Sequence, residues 1–460
     1  MNVAGALRRP LWWDVVPTAP TRSGLGSDLD VDVVIVGAGF TGLWCAYHLA
    51  SLAPELEIAV VERNHVGFGA SGRNGGWCHA EYPLGHGQLA RDHGEPVALS
   101  HMGALFTSVD DVGAIAHAEG IDCDYHKGGV LTLARTGFQD TYAREEVEHA
   151  HALGLGDEDI RYLDRGAARE MLDARDVVGG VWYAHGARIH PAKLVHGLAG
   201  AVERRGVVIY EDTAVEQIED HSVVTERGRV RAPTVVLATE GFGSRLPGRS
   251  RMVIPLYSLM IATEPLPDAV WDGIGLSDRQ TFTDFRNLII YGQRTADGRF
   301  AFGGRGAPYH FGSRIEPGFD IDDDVHAELG RVLTELFPQL NDVEVTHRWG
   351  GPLGVARDWR PSVSFDRMAG FAHAGGYVGD GVATAQLAGR TLAELIVGLE
   401  TERTVLPWVN HASRKWEPEP LRWVGVNAGL GLAKAADRRE ASTGRASRLG
   451  AIGSWLRGKR

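Results

Sequence analysis

Cysteine is scarce in this chain: Cys45, Cys78 and Cys123 are the three among 460 residues, with no CxxC pair and no even-numbered framework. That excludes a disulfide scaffold and a cysteine-built zinc site, and it points to a reducing compartment, with the cytoplasm as the expected location. Long apolar runs are also missing. No stretch reaches the roughly 18 residues of a membrane span, and PLWWDVVP near the N-terminus is too short and broken for a signal segment. An excess of positive charge is absent as well; the net charge of −12 argues against nucleic acid and suits a protein that receives cationic small molecules. The exception is residues 431–460, where eight Lys or Arg face two acids. A basic helix packed on an acidic body is the expected form. The alternative is peripheral contact with an anionic surface through Leu449, Ile452, Trp455 and Leu456.

Glycine, by contrast, is abundant. The sixty glycines follow no period, so collagen-like and low-complexity readings fail, and 44% apolar residues give the chain a core large enough for two intertwined domains. The glycines concentrate in two places. Residues 37–42 read GAGFTG, directly after the β-branched run DVVIV and directly before LWCAYHLASLAP, a helical pattern stopped by Pro54. A second apolar run, EIAVVE, ends on Glu62. Strand, glycine turn, helix, strand and terminal acid form a dinucleotide-binding unit. In such a unit Gly37 makes the tight turn, Gly39 admits a pyrophosphate to the backbone, and Gly42 lets helix and sheet pack closely. Glu62 then accepts from an adenosine ribose.

The second concentration is ERNHVGFGASGRNGG, residues 62–76. A nicotinamide enzyme has no need of a second bare segment this close to the first. An extended flavin does, because its pyrophosphate and ribityl chain pass another backbone segment at contact distance.

In these segments the chain resembles the D-amino-acid-oxidase-like FAD-dependent superfamily, in particular its branch with gamma-glutamylputrescine oxidase. DVVIVGAGFTGLWCAYHL and GFGASGRNGG carry the resemblance first. IHPAKLVHGLAGAVERRGVVIYEDTAVEQIE, TVVLATEG, IPLYSLMIATEPLP and GGYVGDGVATAQLAGR extend it in order over roughly residues 30–400. It implies an α/β fold with a discontinuous Rossmann-like FAD-binding domain (28–85, 185–255 and 340–400). An α+β substrate domain built on an antiparallel sheet takes 86–184 and 256–339, and 401–460 is a basic helical extension. It also implies FAD contacts from Arg63, Ser71, Gly72, Arg73, Asn74, Gly75 and Gly76, from Val215, Ala238 and Thr239, and from Gly376, Tyr377, Gly379, Gly381 and Val382. For Arg73 the other reading is a solvated loop charge. The FAD is expected to be non-covalent; Cys78 and His79 in GGWCHAEYP invite a covalent link, and a packed or flanking position is the stronger reading. No metal site is expected, since His149 and His151 stand two apart on a helical pattern.

On the substrate side, PLYSLMIAT, FRNLIIYGQ and RFAFGG read as antiparallel strands, the last two joined by TADG as a hairpin. If their alternating faces look toward the flavin, Tyr257 and Tyr291 line the substrate cavity; otherwise both pack in the core. Trp349 is a further candidate for a dry aromatic wall. Family members that oxidise α-amino acids carry an arginine after a Trp-x-Gly turn, and here Pro352 and Leu353 fall there, which disfavours an α-amino acid. Arg294, Arg305, Arg348, Arg357 and Arg360 remain as candidates for an anionic group farther from the amine. Arg305 stands loosely where sarcosine-oxidase-like members have a lysine that helps oxygen react. Asp380 precedes the helix starting near Gly381 and either caps it or pairs with a substrate ammonium.

The expected function is oxidation of a primary or secondary amine to an imine by hydride transfer to the flavin, with hydrolysis after it and oxygen or another acceptor as oxidant. The alternatives are a non-catalytic or redox-sensing flavoprotein, or oxidation of an N-substituted amino acid. A disulfide- or NAD(P)H-coupled reductase would need a further GxGxxG unit or a redox CxxC.

Overall fold

The computed structural model describes residues 1 and 3–449. Ile452, Trp455 and Leu456, three of the four apolar residues of the surface-contact reading, lie outside the described residues. A six-stranded sheet organises one half of the molecule, in the order Ser362–Asp366, Phe371–Gly375, Thr234–Leu237, Val33–Val36, Ile58–Val61, Val208–Tyr210. All neighbours are parallel except the Ser362–Asp366 edge. Val33–Val36 shows no hydrophobic alternation because both of its faces are covered. Val33 and Ile35 pack with Leu43, Trp44, Leu198 and Leu387, while Val34 and Val36 pack with Val215, Val223 and Leu237.

The helix Phe40–Leu52 follows the glycine turn and lies against the helix Gly381–Val397. At Gly389 a Cβ would stand 2.6 Å from the Cys45 nitrogen and from the Trp44 Cβ, so the close crossing requires glycine there.

An eight-stranded sheet builds the other half, in the order Val345–Ala356, Val253–Thr263, Phe300–Arg305, Ile290–Arg294, Thr281–Asp284, Val130–Ala134, Gly179–Tyr183, Ile160–Asp164. It is antiparallel throughout apart from the pair Thr281–Asp284 and Val130–Ala134. Register parity separates the two candidate tyrosines. Met260 pairs with Gly303 and Gly303 with Tyr291, which puts those three on one face; Tyr257, an odd number of residues from Met260, points to the other. Tyr257 is therefore packed in the core with Leu259, Ile261 and Phe302, 2% exposed, and the expectation that it lines a cavity is overturned.

The segment PLWWDVVP is buried at its start, at Pro10, Leu11 and Trp12, and exposed at Asp14, Val15 and Pro17. Trp12 is 2% exposed, and the short 3-10 turn Leu11–Asp14 brings it and Trp13 under the second glycine segment. At the other end, the helix Leu421–Thr443 is tied down by Asp437, which accepts from the backbone N–H groups of Asn287 and Leu288 at 2.7 and 3.0 Å.

Candidate active site

The carboxyl ends of the parallel strands open onto a cavity of about 960 Å³ that continues across to the eight-stranded sheet. Its size is at the upper end for a ligand pocket, and its position outside the carboxyl ends is where open α/β sheets bind ligands. At one end it is lined by Gly37, Gly39, Glu62, Arg63 and Val215; along the middle by Ser71, Asn74, Ala238 and Thr239; at the far end by Tyr291, Arg305, Tyr377, Gly379, Asp380, Gly381 and Val382.

The first turn is built for an anion. Gly37 has φ +108°, and a Cβ there would sit 2.6 Å from the Ala238 carbonyl oxygen. Gly39 is the N-cap of Phe40–Leu52 and offers no side chain to it, so the helix N-terminus faces the cavity uncapped apart from Ser71 Oγ, which accepts from the Phe40 N–H at 2.8 Å. Gly42 is not in the wall. A Cβ there would meet the Gly37 carbonyl oxygen at 2.0 Å, so it serves the tightness of the turn. Glu62 is anchored by the N–H groups of Ala38 (3.0 Å) and Asn64 (2.9 Å), which leaves carboxylate lone pairs for a ribose; burial pushes its pKa up against those two amides.

The second glycine segment is held by hydrogen bonds from distant parts of the chain. The indole N–H groups of Trp13, Trp349 and Trp12 donate to the carbonyls of Gly72, Arg73 and Asn74 at 3.1, 2.8 and 2.8 Å. Gln293 Nε2 donates to the Gly75 carbonyl at 2.6 Å and the Ile189 N–H to that of Gly76 at 2.8 Å. Added Cβ atoms would strike the Gly67 carbonyl oxygen from Gly72, the Tyr291 ring from Gly75, and Gln293 from Gly76. Only Ser71, Arg73, Asn74 and Gly75 of residues 71–76 line the cavity, so Gly72 and Gly76 answer to packing. The Arg73 guanidinium, expected at a phosphate or the flavin, pairs instead with Asp320 at 2.5 Å and lies over the Trp13 and Phe68 rings. Trp349 is likewise not a cavity wall; its indole is spent on the Arg73 carbonyl behind the segment.

At the far end, Tyr291 Oη and Ser258 Oγ share a 2.8 Å hydrogen bond, and the Trp77 ring stands edge-on to Tyr291 at 5.9 Å. Arg305 donates to the Val378 carbonyl, inside a turn that takes positive φ at Gly376, Val378 and Gly379; Gly376 itself lies outside the cavity lining. Of the other arginines expected as candidates, Arg294, Arg348, Arg357 and Arg360 are engaged with Asp268, Asp323, Glu417 and Asp92 and are not in the wall. Gly351, Pro352 and Leu353 are.

Asp380 departs from the expected N-cap: its side chain makes no capping bond to Gly381–Val397. It faces His79 instead. His79 Nε2 lies 3.5 Å from Asp380 and Nδ1 3.5 Å from Glu81, and among the described residues these three form the one His, Cys and carboxylate group compact enough for a metal ion. Burial pulls the His79 pKa down, but the two carboxylates outweigh it and the net shift is upward. No sequence spacing links residues 79, 81 and 380; only the tertiary fold brings the last to the first two. Cys78 is fully buried in the core away from the cavity, and burial drives its thiol pKa up, so it is not placed to hold a flavin. Glu240 was also missed. It lines the cavity at φ +45° and accepts from the N–H groups of Gly376 and Tyr377.

The cavity fits FAD on these observations: a helix N-terminus whose N-cap glycine offers no side chain, an anchored acid at the ribose position, and two buried polar atoms of wall residues, Thr239 Oγ1 and Trp77 Nε1, that find no partner among the described residues. Comparison with known proteins agrees. The chain is 31% identical to a gamma-glutamylputrescine oxidoreductase of Escherichia coli over 81% of its own length and 85% of that protein. It is 30% identical to the probable oxidoreductase OrdL of Haemophilus influenzae over 80% and 83%. Among solved structures, glycine oxidase from Geobacillus kaustophilus superposes with a TM-score of 0.67 at 22% identity, covering 81% of this chain and 96% of that one. L-proline dehydrogenase from P. horikoshii gives 0.67 at 19%, with 84% and 96% covered. Residues 32–395 match the FAD dependent oxidoreductase family, DAO. The chain belongs to that family and is an FAD-dependent oxidoreductase.

Proposed function

We propose that this enzyme oxidises a primary or secondary amine that carries no carboxylate on the reacting carbon. The observation that carries the reading is the group His79, Glu81 and Asp380 in the wall of a cavity that Pro352 and Leu353 also line. With His79 protonated the three side chains sum to one negative charge, the complement of one alkylammonium. A relative named for gamma-glutamylputrescine supports an amine as the class of substrate.

Bound FAD supplies a two-electron acceptor for the hydride leaving the carbon that bears nitrogen. The residues must then deliver a neutral amine, because an ammonium has no lone pair to assist that departure. Keeping an amine of pKa about 10 neutral at pH 7 costs about 4 kcal/mol unless the site offsets it. Asp380 takes the ammonium proton, which brings the group from one negative charge to neutral, and the imidazolium of His79 then balances the Glu81 carboxylate. Trp77 and Tyr291 exclude water and favour the neutral amine by desolvation. The N-terminus of Gly381–Val397 adds partial positive charge at the end of the cavity where negative charge grows. The imine is hydrolysed by water.

The decisive measurement is anaerobic mixing of the yellow protein with a panel of monoamines, diamines and α-amino acids. Bleaching by amines and not by α-amino acids is expected; no bleaching by any amine overturns the reading. The oxidant is oxygen or another acceptor, and repeating the panel in air with peroxide detection decides which. The three free buried thiols suit the cytoplasm.

The two tyrosines give an internal control. Tyr291→Phe removes the bond to Ser258 in the wall and is expected to lower kcat/KM for the amine about fivefold, the worth of roughly 1 kcal/mol. Tyr257→Phe, on the far face of the same sheet, is expected to leave it unchanged.

A further inference from the structure

Glu240 occupies a position that ordinarily suits glycine or asparagine. Its φ is +45°, at the start of the 3-10 turn Glu240–Arg245 that follows the strand Thr234–Leu237. A non-glycine residue in the left-handed region persists where surrounding contacts hold it. Here the contact is its own carboxyl, which accepts from the Gly376 N–H at 2.8 Å and the Tyr377 N–H at 3.2 Å. Two glycines make room for it. A Cβ on Gly354 would stand 2.9 Å from the carboxyl, and one on Gly375 would stand 2.8 Å from it.

What the carboxyl holds is the turn of residues 376–380, which leads into the helix Gly381–Val397. That turn is fixed from three sides: by Glu240 at its start, by Arg305 at the Val378 carbonyl, and by Thr384 Oγ1 at the Asp380 carbonyl, 2.5 Å away. Tyr377 ties it in addition to the first helix through a 3.0 Å bond between its hydroxyl and Thr41 Oγ1. Resting on the placement of the flavin ring argued above, we propose that Glu240 is a positioning residue. It clamps the turn that carries the helix N-terminus to the redox end of the cofactor, and its charge sets how readily FAD takes up electrons.

Burial raises the Glu240 pKa to about 7, against the backbone amides that lower it, so its charge changes within the working range. The titratable groups around it are Tyr377 and His373, with Arg245 on its own turn, Asp380 on the clamped one, and Arg305 reaching that turn from the end of the strand Phe300–Arg305. Burial lowers His373 to about 4 and raises Tyr377 beyond the range, so neither changes charge between pH 5 and 8.5. His79 titrates nearby but is common to wild type and variant, and their difference cancels it.

The test is the flavin midpoint potential of the intact holoenzyme, measured from pH 5 to 8.5 with dithionite and reference dyes, which needs no amine. Glu240→Gln keeps the shape and removes the charge. Its potential is expected to lie above that of the wild type at pH 8.5 and to approach it at pH 5, where the wild-type carboxyl is neutral. Gly354→Ala, which displaces the carboxyl without removing it, is expected to shift the potential as well and to weaken FAD retention about tenfold. Superimposable potential curves for Glu240→Gln and wild type overturn the proposal, whatever substrate the enzyme takes. A wild-type protein that is yellow yet unbleached by amines overturns the amine reading and leaves this one standing.

Discussion

Asp380→Asn is expected to slow amine-dependent bleaching of the flavin about 10²-fold at pH 7, the lower end of what a positioned proton acceptor contributes. The loss should shrink as pH rises toward about 10, because free amine then arrives already deprotonated. Folding stability should change by no more than about 0.5 kcal/mol, as for a substitution that breaks no cap or core contact. The contrast matters because the same residue, read as an N-cap, would lose about 1 kcal/mol of stability and have no reason to show a pH-dependent rate. Removing its charge also favours electron uptake at the flavin end, so a faster variant at every pH would assign Asp380 an electrostatic cost in place of proton transfer. Stopped-flow bleaching at several pH values, with thermal unfolding alongside, separates these outcomes. His79 gives a second check on the sign. Its raised pKa means the imidazolium is present at low pH and lost as pH rises through the folded value, so replacing it by Gln should alter the acidic limb of the same profile and leave the alkaline limb alone.

Gly37→Ala is expected to give protein that purifies without flavin and stays colourless when FAD is added. At φ +108° an L side chain costs at least about 1–2 kcal/mol. The larger problem is the partner of the new methyl. The Ala238 carbonyl, 2.6 Å from it, is main chain at the end of a neighbouring parallel strand and has no rotamer to move into. Relief requires the ends of Val33–Val36 and Thr234–Leu237 to part, and these ends form the floor on which the cofactor would lie. Gly39→Ala is the milder companion, since its Cβ would meet only the Ser71 hydroxyl, at 2.9 Å. Absorbance at the visible flavin band after dialysis against FAD measures both, and circular dichroism establishes that the colourless protein is folded. A yellow Gly37→Ala protein would mean that the turn adapts and that the glycine is not required for the cofactor.

These two substitutions mark the boundary between what could be read along the chain and what could not. The dinucleotide unit was legible because its physics is local. A β-branched run buried on both faces, a glycine turn, a helix start and an acid at the next strand end sit within residues 32–62, and their order follows from the distances a short βαβ unit can span. Glu62, Gly37 and Gly39 stand on the cavity wall as that reading requires. The second glycine segment was legible only in part. Its glycines read as room for a ligand, whereas Gly72 and Gly76 make room for Gly67 and Gln293, and the segment is pinned by tryptophans from residues 12, 13 and 349. Nothing local announces that two indoles from the N-terminus and one from a late strand will each take one of three successive carbonyls.

The substrate end was decided by the tertiary structure. Alternation along Val253–Thr263 correctly gives two faces but carries no sign, and the register with Phe300–Arg305 and Val345–Ala356 chooses which face meets the cavity; a shift of one residue would exchange Tyr257 with Ser258. Long-range pairing likewise turned Arg73 to Asp320, Asp380 to His79 and Glu240 to the turn at 376–377. By itself, then, the order of residues determined the class of cofactor, because a bare backbone segment beside a helix start is chemically complete within one unit of chain. Which charges and rings face the reacting carbon was left to packing, because those groups come from elements hundreds of residues apart and only register, crossing angle and burial bring them together.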